Sequence, residues 1–187
     1  MFLLFHARTL DLFWRQEKNF LLPFLAWEKE RKAKALTHKI GDKMMIACYV
    51  FDLDGTIADC SHRLHHIEKK DWRAFFADCD KDEPIRHIID LVKQLWLNYS
   101  IIYVSGRSDE CRDLTLLWMS DNGLPDGPIY MRKAGDHRPD HIVKSELLDQ
   151  LLADGFQPIM AFDDRDQVVK MWRARGIPCA QVAEGNF

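Results

Sequence analysis

At 187 residues, 47% hydrophobic and 29% charged, the chain can bury one good core and is too short for a large second domain. Its five cysteines, at 48, 60, 79, 111 and 179, include no C-x-x-C pair, which argues against a disulfide framework or a zinc knuckle and fits a reducing cytoplasm. The net charge of −3 is unevenly spread: residues 1–43 hold nine Lys/Arg against five Asp/Glu, leaving 17 against 24 in the acidic remainder. That remainder is no generic nucleic-acid sleeve, although a local basic track around an acidic site stays open.

The first 44 residues read as an extension of uncertain status, separate from a domain over 45–187. Their longest apolar run, Phe20 to Trp27, is eight residues with Pro23 inside it, too short to cross a bilayer. The basic start, longer apolar stretch and small-residue cleavage site of a secretory signal are not found in order, so export is not expected. An amphipathic surface helix is the weaker alternative. Met44 and Met45 stand directly before the first strand, and Gly41-Asp42 can be encoded by a ribosome-binding-like sequence, so the native start is expected at one of these methionines.

From there strand and helix alternate. The runs "IACYVF", "SIIYVS", "IYM", "PIMAF" and "CAQVA" read as five short strands. Between them, Ile85, Ile88, Ile89, Val92, Leu95 and Trp96 mark a helix behind Pro84, with further helical faces around 108–122, 140–153 and 165–175, closed by Gly123, Gly155 and Gly176. Helices between strands imply parallel pairing, hence an α/β doubly wound, Rossmann-like sheet of five strands. Such sheets bind ligands beyond the carboxyl ends of their strands. The polar clusters fall there: Asp52 and Asp54 after the first strand, Ser105-Gly106-Arg107 after the second, Asp163-Asp164 after the fourth, with Lys144 on the helix leading into the fourth. Singly, each is a common strand-end or surface feature; in this order they should converge on one crevice.

The set "DLDGT", "SGR", Lys144 and "DDR" resembles the four motifs of the haloacid dehalogenase superfamily of phosphotransferases. The stretches "VSGRS", "YMRKAGDHRPDHIVK", "FDDRDQVVKMWRARGIPC" and "QVAEGNF" are similar to the 3′-phosphatase domain of phage-type polynucleotide kinase/phosphatases, over about residues 45–187. Two departures stand out. The chain holds no Gly-Lys dipeptide, so the phosphate loop of that family's kinase half is missing and no kinase activity is expected. The segment between Asp59 and Pro84 is also longer than in that family, though still too short for a large cap domain, as is Met131–Pro139. A crevice without a cap admits a large substrate such as a nucleic-acid end.

In an extended chain, residues two apart project to the same side, so Asp52 and Asp54 should leave the strand aimed at a common volume, with Gly55 allowing a tight turn. Asp52 is the expected nucleophile, forming an aspartyl-phosphate. Asp54 is the expected general acid and base, with a pKa raised by carboxylate crowding. A cation is needed beside them. Mg²⁺ is expected, held by the Asp52 carboxylate, the Asp54 backbone carbonyl and Asp163, with Asp164 close by. Ser105 and Lys144 would hold the equatorial phosphate oxygens, with Thr56 and Gly106 beside them. The resemblance adds Arg63, Arg107 and Asp140, which match functional positions in the phage domain; ordinary ion pairs or a helix cap are the alternatives. Arg132 and Arg138 are candidates for the penultimate phosphodiester, or else for bracing their loop against Asp136 or Asp140.

His62, His65 and His66 read as a loop or helix surface in preference to a metal site, and Trp72, Phe75 and Phe76 as a packing face in preference to a base-stacking platform. The leading expectation is a Mg²⁺-dependent phosphatase of phage or bacterial end repair acting on 3′-phosphorylated DNA or RNA ends, with no membrane partner. A phosphatase for mononucleotides or other small phosphoesters is the alternative, and an inactive end-binding adaptor the alternative of another class.

Overall fold

The structure is a computed structural model that describes residues 37–40 and 43–185, with side chains from Met44 onward. The readings placed on residues 1–36 therefore lie outside the described residues. Five parallel strands form the body of the sheet, in the order β6-β5-β2-β7-β8. They are β2 (Lys43–Phe51), β5 (Ser100–Ser108), β6 (Ile129–Arg132), β7 (Phe156–Asp163) and β8 (Cys179–Gln181). All five expected strands are present, which makes this the doubly wound α/β fold.

Alternation along the strands divides the core into two layers, because successive side chains point to opposite faces. Phe51, Ile101, Tyr103, Ile129 and Phe162 face one side and pack on Ile88, Ile89 and Val92 of α3 (Arg86–Trp96) and on Trp118 and Met119 of α4 (Arg112–Asp121). Cys48, Val50, Ile102, Val104 and Ala161 face the other. There they meet Val143, Leu147, Leu148 and Leu151 of α5 (Asp140–Ala153) and Val168, Val169 and Trp172 of α6 (Asp166–Ala174). Each such aliphatic side chain removed from water stabilises the fold by about 1.5–3 kcal/mol. Gly123, Gly155 and Gly176 all take positive φ behind their helices, as the sequence predicts. Pro84 differs from expectation: it lies in a strand, and α3 starts two residues later at Arg86.

Two further features complete the described residues. A short strand, β1 (Thr37–Ile40), pairs antiparallel with the start of β2, from Thr37 opposite Ile46 to Ile40 opposite Lys43. The second is a flap between the first two parallel strands. Its base is a two-residue antiparallel ladder, β3 (Ala58–Asp59) with β4 (Glu83–Pro84), and it carries α1 (Leu64–Glu68) and α2 (Trp72–Ala77). The ladder brings the two ends of the flap together, so residues just after β3 and just before β4 become neighbours. The flap is all that stands where a large cap domain would be inserted. No helix among the described residues is long and apolar enough to cross a membrane.

Candidate active site

Beyond Phe51 the chain stays in register for one more residue, as the Asp52 amide donates to the Phe162 carbonyl at 3.0 Å, and then turns sharply. The Leu53 carbonyl accepts from the amides of Ile57 and Ala58, both at 2.8 Å, and from Thr56 at 3.2 Å. Gly55 makes this turn at φ +84°, and a Cβ there would overlap the Asp164 carboxylate. Only glycine combines that conformation with so close an approach. Asp52 is thereby fixed in the sheet and Asp54 in the turn, two residues away.

Their surroundings are opposite in charge. Asp52, Asp163 and Asp164 are all buried, and one oxygen from each lies within 4.8 Å of the others, as holding one metal ion requires. Lys144 Nζ sits among them, 2.8 Å from Asp52 Oδ1, 2.9 Å from Asp163 Oδ2 and 3.5 Å from Asp140 Oδ2. Lys144 occupies the apolar stripe of α5 and is 1% exposed, a position tolerated only because carboxylates surround it. Burial works to lower its pKa, but Asp163, Asp52 and Asp140 outweigh burial and hold it well above the usual lysine range. Burial raises the Asp52 carboxyl well above its usual range against the pull of Lys144, with Asp163 and Asp164 adding to the rise. Asp164 is pushed up to about 6 by burial and by Asp163.

Asp54 takes no part in that cluster. Arg63 Nη2 donates to its Oδ1 at 2.6 Å, and Arg107 donates to the same oxygen from Nη2 at 2.6 Å and Nε at 2.8 Å. Both guanidiniums also clasp Asp82: Arg63 through Nε at 2.7 Å and Nη2 at 2.6 Å, Arg107 through Nη2 at 2.5 Å. Arg63, Arg107 and Asp82 have no exposed side-chain surface. Burial raises the Asp54 carboxyl, but Arg107 and Arg63 together more than cancel this and lower it. The expectation of an Asp54 pKa raised by carboxylate crowding is thus corrected: the Arg107 and Arg63 guanidiniums on its Oδ1 hold it below the usual range. Arg63 and Arg107, candidates for binding phosphate or substrate with ion pairs as the alternative, are ion-paired here, and donate further to the Phe75 carbonyl and to Thr115 Oγ1. Asp82 was missed altogether. It stands at the foot of the flap just before β4, and the β3–β4 ladder brings it to Arg63.

The remaining candidates frame these two neighbourhoods. The β5–β6 register is irregular between Ser105 and Ser108, so Gly106 and Arg107 leave the ladder, as at a β-bulge. Ser105 is fully buried, and its Oγ accepts the Arg107 amide at 3.2 Å. A Cβ on Gly106 would overlap Asp140 Oδ1, which explains the glycine in "SGR". Thr56 is fully buried, and its Oγ1 finds no partner. Asp140 makes no cap for α5; it accepts Arg132 Nη2 at 2.9 Å. Arg132 also donates to the Gly106 carbonyl at 2.8 Å and to the Arg138 carbonyl at 2.8 Å. Arg138 is engaged by Asp136 and by Glu146, the latter at 2.7 and 2.8 Å. Both arginines brace the loop through Asp140 and Asp136, the alternative to strand binding that the sequence left open.

Residues 46–187 match the family model of the polynucleotide kinase PNKP phosphatase domain. A protein of Autographa californica nuclear polyhedrosis virus, described as a candidate bifunctional polynucleotide kinase/RNA ligase, is 31% identical over 146 residues. That alignment covers 74% of this chain and 19% of the viral protein. A chain in the solved Pnkp1/Rnl/Hen1 RNA repair complex superposes with a TM-score of 0.69 at 28% identity, over 81% of this chain and 47% of that one. This chain thus spans about a fifth of the one relative and about half of the other. A haloacid dehalogenase-like hydrolase of Streptococcus pneumoniae shares the fold, with a TM-score of 0.53 at 17% identity over 71% of this chain and 82% of its own.

Proposed function

Because the chain belongs to the family of polynucleotide kinase PNKP phosphatase domains, within the haloacid dehalogenase superfamily, we propose that it is a Mg²⁺-dependent phosphatase removing 3′-terminal phosphates from DNA or RNA in nucleic-acid end repair. The observation that carries this reading is the charge imbalance around Asp52. Asp52, Asp163 and Asp164 crowd around the Lys144 ammonium, while Arg132 pairs with Asp140 and Arg165 acts on Asp140 and Asp164. Carboxylates thus outnumber cations in a buried pocket of oxygen donors. A hard divalent cation fits that deficit and that donor set. The Asp52 and Asp163 carboxylates and the Asp54 carbonyl would hold it, with Asp164 alongside. When bound, Mg²⁺ supplies the positive charge that lets an anionic nucleophile and a phosphate dianion approach each other.

The chain's own groups then divide the work. An Asp52 oxygen attacks phosphorus and forms an acyl-phosphate bond as the ester P–O bond breaks. The three N–H donors to Asp54 all fall on Oδ1, so Oδ2 is the atom that protonates the leaving 3′-oxygen. It then takes a proton from the water whose attack on phosphorus releases inorganic phosphate and restores Asp52. Ser105 accepts the Arg107 amide, which leaves its hydroxyl proton for a phosphate oxygen, and Lys144 neutralises charge as it spreads in the transition state. Only a small flap occupies the cap position, which supports a polynucleotide substrate. The absence of a phosphate-loop sequence from this chain supports phosphatase activity without kinase activity, and five free thiols support a cytoplasmic setting.

A substrate panel tests the reading: a 3′-phosphorylated oligonucleotide, its 5′-phosphorylated isomer and a 3′-mononucleotide, with and without Mg²⁺, against Asp52→Asn as control. Mg²⁺-dependent release from the 3′-oligonucleotide, lost in a well-folded Asp52→Asn protein, is expected. Equal turnover of the mononucleotide would favour a small-phosphoester enzyme, and phosphate release by folded Asp52→Asn would remove Asp52 as nucleophile.

A further inference from the structure

The flap carries a feature that hydrolysis does not use. Of the three aromatic residues of α2, the sequence predicts a common packing face, but the structure separates them. Phe75 is buried and Phe76 partly so, whereas Trp72 is 41% exposed. Its indole meets the Phe75 ring edge-on at 6.2 Å and lies 29° from the plane of Phe76 at 6.4 Å. Trp72 is buttressed by two rings and still open to solvent. Lys69, Lys70 and Arg73, all exposed, stand beside it in sequence, and none has an ion-pair partner among the described residues. Lys70 adopts φ 56°, the left-handed conformation that glycine or asparagine normally fills behind a helix, so a lysine is kept there against backbone preference.

This surface is coupled directly to the reaction centre. Arg63 stacks its guanidinium 4.1 Å from the centre of the Phe75 ring and donates from Nη1 to the Phe75 carbonyl at 3.2 Å. Its Nη2 reaches Asp54 Oδ1 at 2.6 Å. Trp72 is therefore linked to the proposed acid–base carboxylate by three side-chain contacts, through Phe75 and Arg63.

Building on the 3′-phosphatase reading, we propose that Trp72, flanked by Lys69, Lys70 and Arg73, is a stacking platform for a base of the substrate strand next to the terminal phosphate. An aromatic face bordered by cations suits a single strand of any sequence: the ring takes a base and the cations take backbone phosphates. The Phe75–Arg63 contact sets the position of the platform relative to Asp54. No small phosphoester would use it.

Steady-state kinetics on a single-stranded 3′-phosphorylated oligonucleotide and on p-nitrophenyl phosphate test this in the full chain, for the unaltered protein, Trp72→Ala and Trp72→Phe. Trp72→Ala should raise KM for the oligonucleotide about tenfold or more, the range expected for one lost base stack, with kcat little changed and no comparable effect on the aryl phosphate. Trp72→Phe should recover most of the loss. Combined Lys69→Ala and Lys70→Ala should flatten the salt dependence of oligonucleotide binding. An unchanged oligonucleotide KM in Trp72→Ala, or equal losses on both substrates, overturns the platform while leaving the phosphatase reading intact. Failure of the unaltered protein to act on the oligonucleotide, with aryl phosphate still turned over, overturns both.

Discussion

Replacing Asp82 with alanine should damage stability and catalysis together. Its carboxylate accepts three N–H donors from Arg63 and Arg107 and lies 2.9 Å from His62 Nε2, with no exposed side-chain surface. Deletion leaves two buried guanidiniums to share the single carboxylate of Asp54. Removing one partner of a buried ionic group costs about 3–5 kcal/mol. For a domain of this size each kcal/mol lowers Tm by about 2–4 °C, so the expected fall is about 6–20 °C. Asp82→Asn should recover little, because its amide NH₂ would face guanidinium N–H groups. Both arginines would then bear on Asp54 alone and hold its carboxyl lower still, so that less of it carries the proton it has to donate. Loss of general acid–base work typically costs about 10²–10⁴ in rate, so turnover of an aryl phosphate should fall on that scale. Thermal denaturation followed by circular dichroism gives the first quantity, and phosphate release well below the new Tm gives the second. A Tm within about 2 °C of the unaltered protein, with turnover retained, would refute the claim that Asp82 positions the arginines around Asp54.

Arg138→Ala removes exposed ion pairs that solvent screens, so Tm should move by less than about 4 °C and oligonucleotide turnover should hold. Arg132→Ala should lower turnover of oligonucleotide and aryl phosphate alike, since Arg132 fixes the Gly106 carbonyl and Asp140; a loss confined to the oligonucleotide would assign it to the strand instead. A chain beginning at Met45 tests the proposed domain boundary: it should fold and keep its phosphatase activity, with a lower Tm because β2 loses its pairing with β1. Insolubility of that shorter chain would extend the domain back to Thr37 or beyond.

The parallel strands and main helices were legible because each is an apolar run of the right period ending at a polar cluster, and Asp52, Lys144 and Asp163 stand where those runs stop or are interrupted. Lys144 was conspicuous in itself, a cation in a stripe of Val143, Leu147, Leu148 and Leu151. Asp82 carried no such mark. It sits in "CDKDEP", a charged stretch that reads as a solvated surface, and only the β3–β4 ladder turns it inward against Arg63. The strand Thr37–Ile40 is short and mostly polar, and its partner residues are needed to recognise it. Arg63 and Arg107 were marked by resemblance, but a sequence does not say which carboxylate a long side chain will reach. The pKa of Asp54 was misjudged for the same reason: spacing gives the direction of Asp52 and Asp54 along the chain, while their titration depends on partners 9 and 53 residues away.

The separation of roles between two aspartates only two residues apart follows from charge balance. Around Asp54, two carboxylates meet two guanidiniums, so the group is balanced in charge while 21% of the Asp54 side chain stays exposed; an added cation finds no charge deficit there, and an added phosphate would find both arginines engaged. Around Asp52, four carboxylates (Asp52, Asp140, Asp163 and Asp164) meet three cations (Lys144, Arg132 and Arg165), so the group is short of positive charge. The metal-assisted nucleophile proposed above therefore fits the first position better than the second. A carboxyl that must give and take a proton while staying in place is better served at the second, where Arg63 and Arg107 grip one oxygen and leave the other to the substrate. Exchanging the two environments would require moving Lys144 from α5 or the arginines from the flap and β5. The division of labour is thus built into which elements flank the turn at Gly55, and the D-x-D spacing alone does not set it.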